Sequence, residues 1–436
     1  MSGLARYFKK RGCVVYGYDK TPTTLTNSLI DENIPVTFID EVNSIPTTFQ
    51  KNDSATLIIY TPAIPGNSTI LNWFKDNDFS LKKRSEVLGI ISKGMFTIAV
   101  AGTHGKTTTS SIIAHVLKDS GYDCSAFLGG IATNYNSNVL FGSNNTVGVE
   151  ADEYDRSFLT LHPDISVITS MDADHLDIYG DAGKLMESFQ LFASQLKPGG
   201  KLIHRKGLAL NNGLAYAPNE DCEIQAFNVR IKDGNFYFDF KNSSTVITDI
   251  QLALPGLHNI ENAVAAIEVA LFLGLSADKI KTALANFLGV KRRFEYIVKS
   301  ESHIYIDDYA HHPEELRACI TAVKSLYPNK ELTTIFQPHL FTRTRDFADG
   351  FAEVLSMTDK LIMLDIYPAR ELPIPGVSSE MILKNVSIAN KQICAKQEAI
   401  EYVRNAKPEL LLTVGAGDID TLVKPLQNLL QNVEAN

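Results

Sequence analysis

The residues with the plainest chemical meaning are Gly102-Thr-His-Gly-Lys-Thr-Thr-Thr109. The longer phosphate-loop pattern G-x-x-x-x-G-K-[ST] is not met, because Val100 stands where its first glycine would fall. The core Gly102-Thr103-His104-Gly105-Lys106-Thr107 is nevertheless the right set. Glycines let backbone N–H groups close on phosphate oxygens, Lys106 supplies a point charge, and the Thr107 hydroxyl suits Mg²⁺. Nucleotide binding is the expectation, and a glycine-rich turn is the alternative. Two acidic segments follow. Thr146-Val-Gly-Val-Glu150 leads into Ala-Asp-Glu-Tyr-Asp, and 165–169 leads into Ser-Met-Asp172-Ala-Asp174-His175. Glu150 is expected to hold a metal, and His175 beside Asp174 to hold a second metal or to orient a phosphate. Solvated acidic turns with a helix cap remain the other reading of both.

These side chains need elements to position them. An apolar strand, Phe96-Thr-Ile-Ala-Val-Ala101, runs into the glycine loop, and a helix with Ile112, Ile113, Val116 and Leu117 on one face leaves it. Strand, turn and helix in that order are the context a phosphate loop requires. Strands at 146–150 and 165–169 that end in acids place them on the same edge of a parallel sheet. Upstream, Leu4, Tyr7 and Phe8 mark a helix stopped by Gly12, with strands expected at 13–19 and 55–60 and helices near 70–74 and 86–91. Residues 222–254 change to short alternating runs that look antiparallel, and a helix from Asn262 closes that part. A further α/β series follows, with strands at 303–306, 332–336, 360–364 and 410–414 and helices from Pro313 and near 347–355. The fold class is therefore α/β in three domains, 1–95, 96–290 and 291–436, the central one with a mostly parallel sheet covered on both faces.

The 436 residues exceed what one compact core holds, which agrees with that division. With 44% hydrophobic and 21% charged residues the chain is ordinary globular material. A formal charge of −9 argues against a general nucleic-acid or anionic-membrane binder. Five scattered cysteines without a C-x-x-C suggest neither a disulfide framework nor a zinc site, so a reducing cytoplasm is expected. No run approaches the roughly 20 apolar residues of a membrane span.

Taken together, Gly102–Thr109, Glu150-Ala-Asp-Glu153, Asp174-His175, Gly256-Leu-His-Asn259-Ile-Glu-Asn262, Arg292-Arg-Phe294 and Asp307-Asp-Tyr-Ala-His-His-Pro313 resemble the Mur ligases, over nearly the whole chain. That resemblance implies Rossmann-like first and third domains around an ATP-binding centre, and ATP-dependent amide formation in peptidoglycan precursor synthesis. His175-Leu-Asp-Ile-Tyr-Gly180 and Gln337-Pro-His-Leu-Phe-Thr-Arg-Thr-Arg-Asp346 look most like the members that join L-alanine to UDP-N-acetylmuramate. It implies that Lys106 and two Mg²⁺ ions serve phosphoryl transfer, one ion on Thr107 and Glu150, the other on Glu150 and His175. Gln190 stands about where sister enzymes carry a carbamylated lysine, so that modification is not expected. By the same match Gly102 to Thr109 (including Thr108), Asn259, Asn262, Arg293 and Asp308 would meet ATP. Tyr309, His311, His339 and Arg343 would form the alanine end, with His311 and Arg343 taking part in catalysis. Asp19 and Arg84 would meet the UDP-sugar. Solvated charge or local capping is the alternative for Asp19, Arg84, Asn259, Arg293 and Asp308.

Where many alanine-adding members read His-Arg-Tyr, this chain reads His339-Leu340-Phe341, which removes one candidate carboxylate anchor. Other readings are the member that recycles murein tripeptide, a folylpolyglutamate synthase-like ligase, and a non-catalytic nucleotide-binding regulator. A monomer or homodimer is expected, without nucleic acid or membrane insertion. The first strand and glycine-rich turn of the family's first domain have no counterpart before Met1-Ser-Gly-Leu-Ala, so the expectation is normal ATP binding with weak UDP-sugar binding, unless the sequence starts at an internal methionine.

Overall fold

The computed structural model describes all residues except Ala63, 173–175, 233–234, Arg370 and 432–436. They form two compact units. The first comprises 1–217, 221–224 and 265–283, and the second 218–220, 225–264 and 284 onward.

In the first unit the sheet is built around the strand Phe96–Ala101, in which Thr97 to Ala101 are all buried. On one side it pairs in parallel with Thr146–Glu150, and on the other with Ile165–Ile168. Lys201–Arg205 and Leu214–Pro218 continue in parallel beyond the latter, and Ser125–Ala132 beyond the former. Ser137–Leu140 closes that edge antiparallel. Because Phe96–Ala101 lies between the two strands that end in acids, the loop after it opens between their C-terminal ends. Ala99, Ala101, Val147, Val149, Phe158, Phe189 and Phe192 pack one core.

Residues ahead of this sheet carry the helices Ser2–Lys10, Thr24–Asp31, Thr69–Asp76 and Arg84–Ser92. Their strands are shorter than the sequence suggests. Among the described residues, pairing there joins Gly17–Tyr18 with Val36–Thr37 and Ile58–Tyr60 with Leu81–Lys83, both parallel, because ladders extend only where a neighbour faces them.

In the second unit Ile224–Lys232, Asn235–Lys241 and Val246–Leu252 pair antiparallel, as the alternating sequence implies. Its larger sheet runs Glu295–Lys299, Ile304–Asp308, Leu410–Val414, Leu332–Phe336, Lys360–Met363, Lys391–Ile393. Only the Glu295–Lys299 edge is antiparallel. Alternation along these strands feeds two cores. Ile304, Ile306, Phe336, Leu410 and Leu412 pack on one face, and Tyr305, Ile335, Ile362 and Leu411 on the other. Among the described residues no helix is long and apolar enough to cross a membrane.

Candidate active site

The phosphate loop is shaped by its glycines. Gly102 has φ +142°, and a Cβ there would stand 2.8 Å from the Ser170 nitrogen. Gly105 sits at φ +81°, in the left-handed region where glycine is favoured, and begins the helix Lys106–Asp119 without a side-chain cap. That leaves the positive end of a fourteen-residue helix open to an anion. The loop is bolted to the segment after Ile165–Ile168. Ser170 Oγ accepts from His104 N at 2.7 Å and lies 2.9 Å from Thr103 Oγ1, which in turn accepts from Asp172 N at 3.1 Å. The His104 ring lies 3.9 Å from the Asp172 carboxylate. Thr108 and Thr109 are buried in the first turns of the helix.

Lys106 turns back over this loop. Its Nζ donates to Glu153 Oε1 at 2.8 Å, stands 2.7 Å from Oε2, and also donates to the Gly102 carbonyl. Burial works against its charge, but Glu153, Asp152 and Glu150 outweigh burial and hold the ammonium above the usual lysine range. Glu153 is itself buried, which pushes its carboxyl above the usual carboxylate range, and the Lys106 ammonium opposes that rise. Glu153 was legible only as one acid in the run Glu150-Ala-Asp-Glu; its role as lysine partner needs the fold. Tyr179 hydroxyl donates to the Glu153 carbonyl at 2.5 Å, and burial pushes that phenol up to about 12.

The Thr107 hydroxyl donates to Glu150 Oε1 at 3.0 Å, and Gly129 N–H donates to Oε2 at 2.8 Å. Thr107 and Glu150 thus present adjacent hard oxygen donors. Among the described residues no three His, Cys, Asp or Glu gather as a metal cluster. A cation on Thr107 and Glu150 would complete its shell with phosphate and water oxygens, which is the habit of Mg²⁺, so the donor set fits that ion. His175 and Asp174 lie outside the described residues.

In the second unit Asn259 and Asn262 are buried in the first turns of the helix Leu257–Phe272, 3.4 Å apart, and Asn259 Nδ2 donates to the Pro255 carbonyl at 2.7 Å. Beside them His258 is pushed down to about 4 by burial, with Arg293 adding to the effect. Asp308 ends the strand Ile304–Asp308, buried, with Oδ2 accepting from Phe294 N at 2.6 Å and Oδ1 from Ala310 N at 2.7 Å. Burial raises its carboxyl while Arg293 opposes that. Arg293 lies over the Tyr309 ring at 5.2 Å and 3.8 Å from Glu315.

A row of rings continues from there. Tyr309 and His311 have centroids 5.2 Å apart, His311 and His339 5.8 Å, and His339 stacks on Tyr367 at 5.8 Å. His311 N donates to Glu315 Oε2 at 3.1 Å, and its Nδ1 lies 3.0 Å from the Tyr309 carbonyl. Burial, with Arg343 adding and Glu315 opposing, pulls its imidazole down to about 4, so it is neutral near pH 7. Arg343, on the helix Phe341–Asp346, is therefore within electrostatic reach of His311. The fold brings Tyr309 and His311 together with His339 and Arg343 from two separate sequence segments. Glu315 and Tyr367 were missed; the i,i+4 spacing of His311 and Glu315 was the available signal for the first.

In the first unit Asp19 is exposed after the strand Gly17–Tyr18, with Oδ1 accepting from Thr21 N at 3.1 Å. Arg84 opens the helix Arg84–Ser92, where Glu86 accepts from Lys83 N at 2.6 Å.

Comparison with known proteins agrees with this architecture. Residues 1–95 match the domain described as Mur ligase family, catalytic domain, 100–270 the Mur ligase middle domain, and 292–417 the Mur ligase glutamate ligase domain. A UDP-N-acetylmuramate–L-alanine ligase of Flavobacterium johnsoniae is 49% identical over 430 residues, 99% of this chain and 95% of the relative. One of Cytophaga hutchinsonii is 46% identical over 441 residues, 99% and 94% respectively. Among solved structures, UDP-N-acetylmuramate-alanine ligase of Thermotoga maritima shares the fold with a TM-score of 0.84, at 24% identity over 100% of this chain and 96% of that one. A murein peptide ligase of Psychrobacter arcticus gives 0.71 at 21%, over 99% and 96%. With near-complete coverage at such identity, and the phosphate loop, its acids and the ring row in place, this chain belongs to the Mur ligase family.

Proposed function

We propose that this chain is an ATP-dependent ligase that joins L-alanine to the lactyl carboxylate of UDP-N-acetylmuramate, in the cytoplasm, through an acyl-phosphate. The observation that carries the chemistry is the largely shielded Lys106 ammonium beside the Thr107–Glu150 oxygen pair at the open end of a helix. The choice of substrates rests on the names of relatives at 44–49% identity. Phosphoryl transfer asks for positioning and charge neutralisation rather than covalent help. Loop N–H groups and Lys106 take the phosphates, so that ATP oxygens replace Glu153 as the partner of the lysine. Thr107 and Glu150 would hold one Mg²⁺, and Glu150 with His175, which lies outside the described residues, a second; bound there, the ions would supply charge neutralisation. Asn259 and Asn262 meet the adenine, Arg293 the phosphates and Asp308 the ribose. Residues 1–95, with Asp19 and Arg84, receive the UDP-sugar.

At the amine end, Arg343 offers a guanidinium fork to the alanine carboxylate. Neutral His311 accepts the proton that the attacking amine gives up as the amide forms and phosphate leaves. Its depressed basicity keeps it free of a proton at working pH. The test is coupled ADP release over a panel of UDP-sugars and amino acids. Release should require both UDP-N-acetylmuramate and L-alanine, and Lys106→Ala should abolish it in a folded protein. Release with a preformed L-alanyl tripeptide and none with L-alanine would replace this reading by that of the recycling ligase.

A further inference from the structure

The strand Ser125–Ala132 carries Gly129-Gly130 near its C-terminal end, and the mechanism above gives neither a part. Pairing of this strand with Thr146–Glu150 runs only to Phe127 opposite Val149, and pairing with Ser137–Leu140 shifts register between Phe127 and Ala132. The Gly129 amide thereby serves a side chain instead of a ladder, donating to Glu150 Oε2 at 2.8 Å. The other oxygen accepts from Thr107 at 3.0 Å, and Ser110 Oγ approaches Oε2 at 3.4 Å. A Cβ at Gly129 would stand 2.5 Å from Glu150 Cδ, and nearer still to both oxygens. Gly129 does not sit at a positive φ, so what a side chain here would meet is the Glu150 carboxylate in its present position rather than a forbidden backbone conformation.

We propose that Gly129 is a positioning residue of the ligase reaction: its amide fixes, and its missing side chain permits, the orientation in which Glu150 turns one oxygen to Thr107 and shapes the divalent-cation site. This rests on the reading of Glu150 as a cation ligand. Groups that orient metal ligands typically change metal affinity by about 10–100-fold when altered. A methyl group that expels the carboxylate belongs in that range, whereas nucleotide binding without metal should change less than about 2-fold.

The experiment uses the full chain and its Gly129→Ala variant, with Gly94→Ala as control because a Cβ there meets nothing within 4 Å. Calorimetric titration of ADP, with and without Mg²⁺, reads the magnesium-linked gain in affinity. The gain should fall about 10-fold or more in Gly129→Ala and stay intact in Gly94→Ala. Thermal unfolding of Gly129→Ala in the Glu150 and Glu150→Ala backgrounds separates positioning from simple damage to the strand. The midpoint should fall in the first background and not in the second, where the methyl meets no carboxylate. An equal fall in both, or an unaltered magnesium linkage in Gly129→Ala, overturns the inference. A native protein with no magnesium linkage refutes the cation reading of Glu150 itself, and the stability cycle alone then decides whether Gly129 positions that side chain.

Discussion

Replacing Glu153 by glutamine keeps the volume and removes one charge from the most buried ion pair around the phosphate loop. The Lys106 ammonium stands 2.7–2.8 Å from both Glu153 oxygens, and the Glu153 side chain is 1% exposed. At an effective dielectric of about 20 a pair this close attracts by roughly 6 kcal/mol, and breaking a buried pair from one side typically costs about 3–5 kcal/mol net. Asp152 and Glu150 still act on the lysine, which favours the lower end, about 3 kcal/mol. For a unit of this size that is a fall of roughly 6–12 °C in the midpoint of thermal unfolding. ATP should shrink the deficit, because its phosphates give Lys106 the partner that glutamine does not. The assay is thermal unfolding of both proteins with and without ATP. A loss under about 0.5 kcal/mol would refute the claim that the pair is desolvated. The same loss with and without ATP would refute the exchange of Glu153 for phosphate.

The pH dependence of stability has a definite sign at His311. Its imidazole is pulled from 6.5 to about 4 in the folded chain, so the folded state binds fewer protons between those values. Its contribution is present above pH 6.5 and is lost as pH falls toward 4, by about 3 kcal/mol at roughly 1.4 kcal/mol per pH unit. His311→Gln should flatten the acid limb of a stability profile measured by urea unfolding over pH 4–7. Asp308→Asn turns an acceptor that serves Phe294 N and Ala310 N into a group with one donor end. It should cost about 1–3 kcal/mol in the same assay.

Much of the fold was legible because its cues are local. The strand Phe96–Ala101, the strand Thr146–Glu150 and the antiparallel run through Asn235–Lys241 follow from apolar runs and alternation in adjacent residues. The strands read at 13–19 and 55–60 were overestimated, since apolar runs do not tell how many residues find a neighbour. The edge strand Glu295–Lys299 was missed although Tyr296, Ile297 and Val298 stand in a row there; the run is short, and its pairing shifts register between Tyr296 and Val298.

For the site, residue types and spacing alone determined which groups are present: a phosphate loop with Lys106 and Thr107, acids at strand ends, and His311, His339 and Arg343 in the last third. Only the tertiary structure decided their partners. Lys106 meets Glu153 across 47 residues, Thr107 meets Glu150 across 43, and Glu150 meets Gly129 across 21. The physical reason is that ion pairs, ring contacts and the space for a missing Cβ depend on which strands lie side by side. That order is set by long-range packing of both sheet faces, to which no single segment of the chain holds the information.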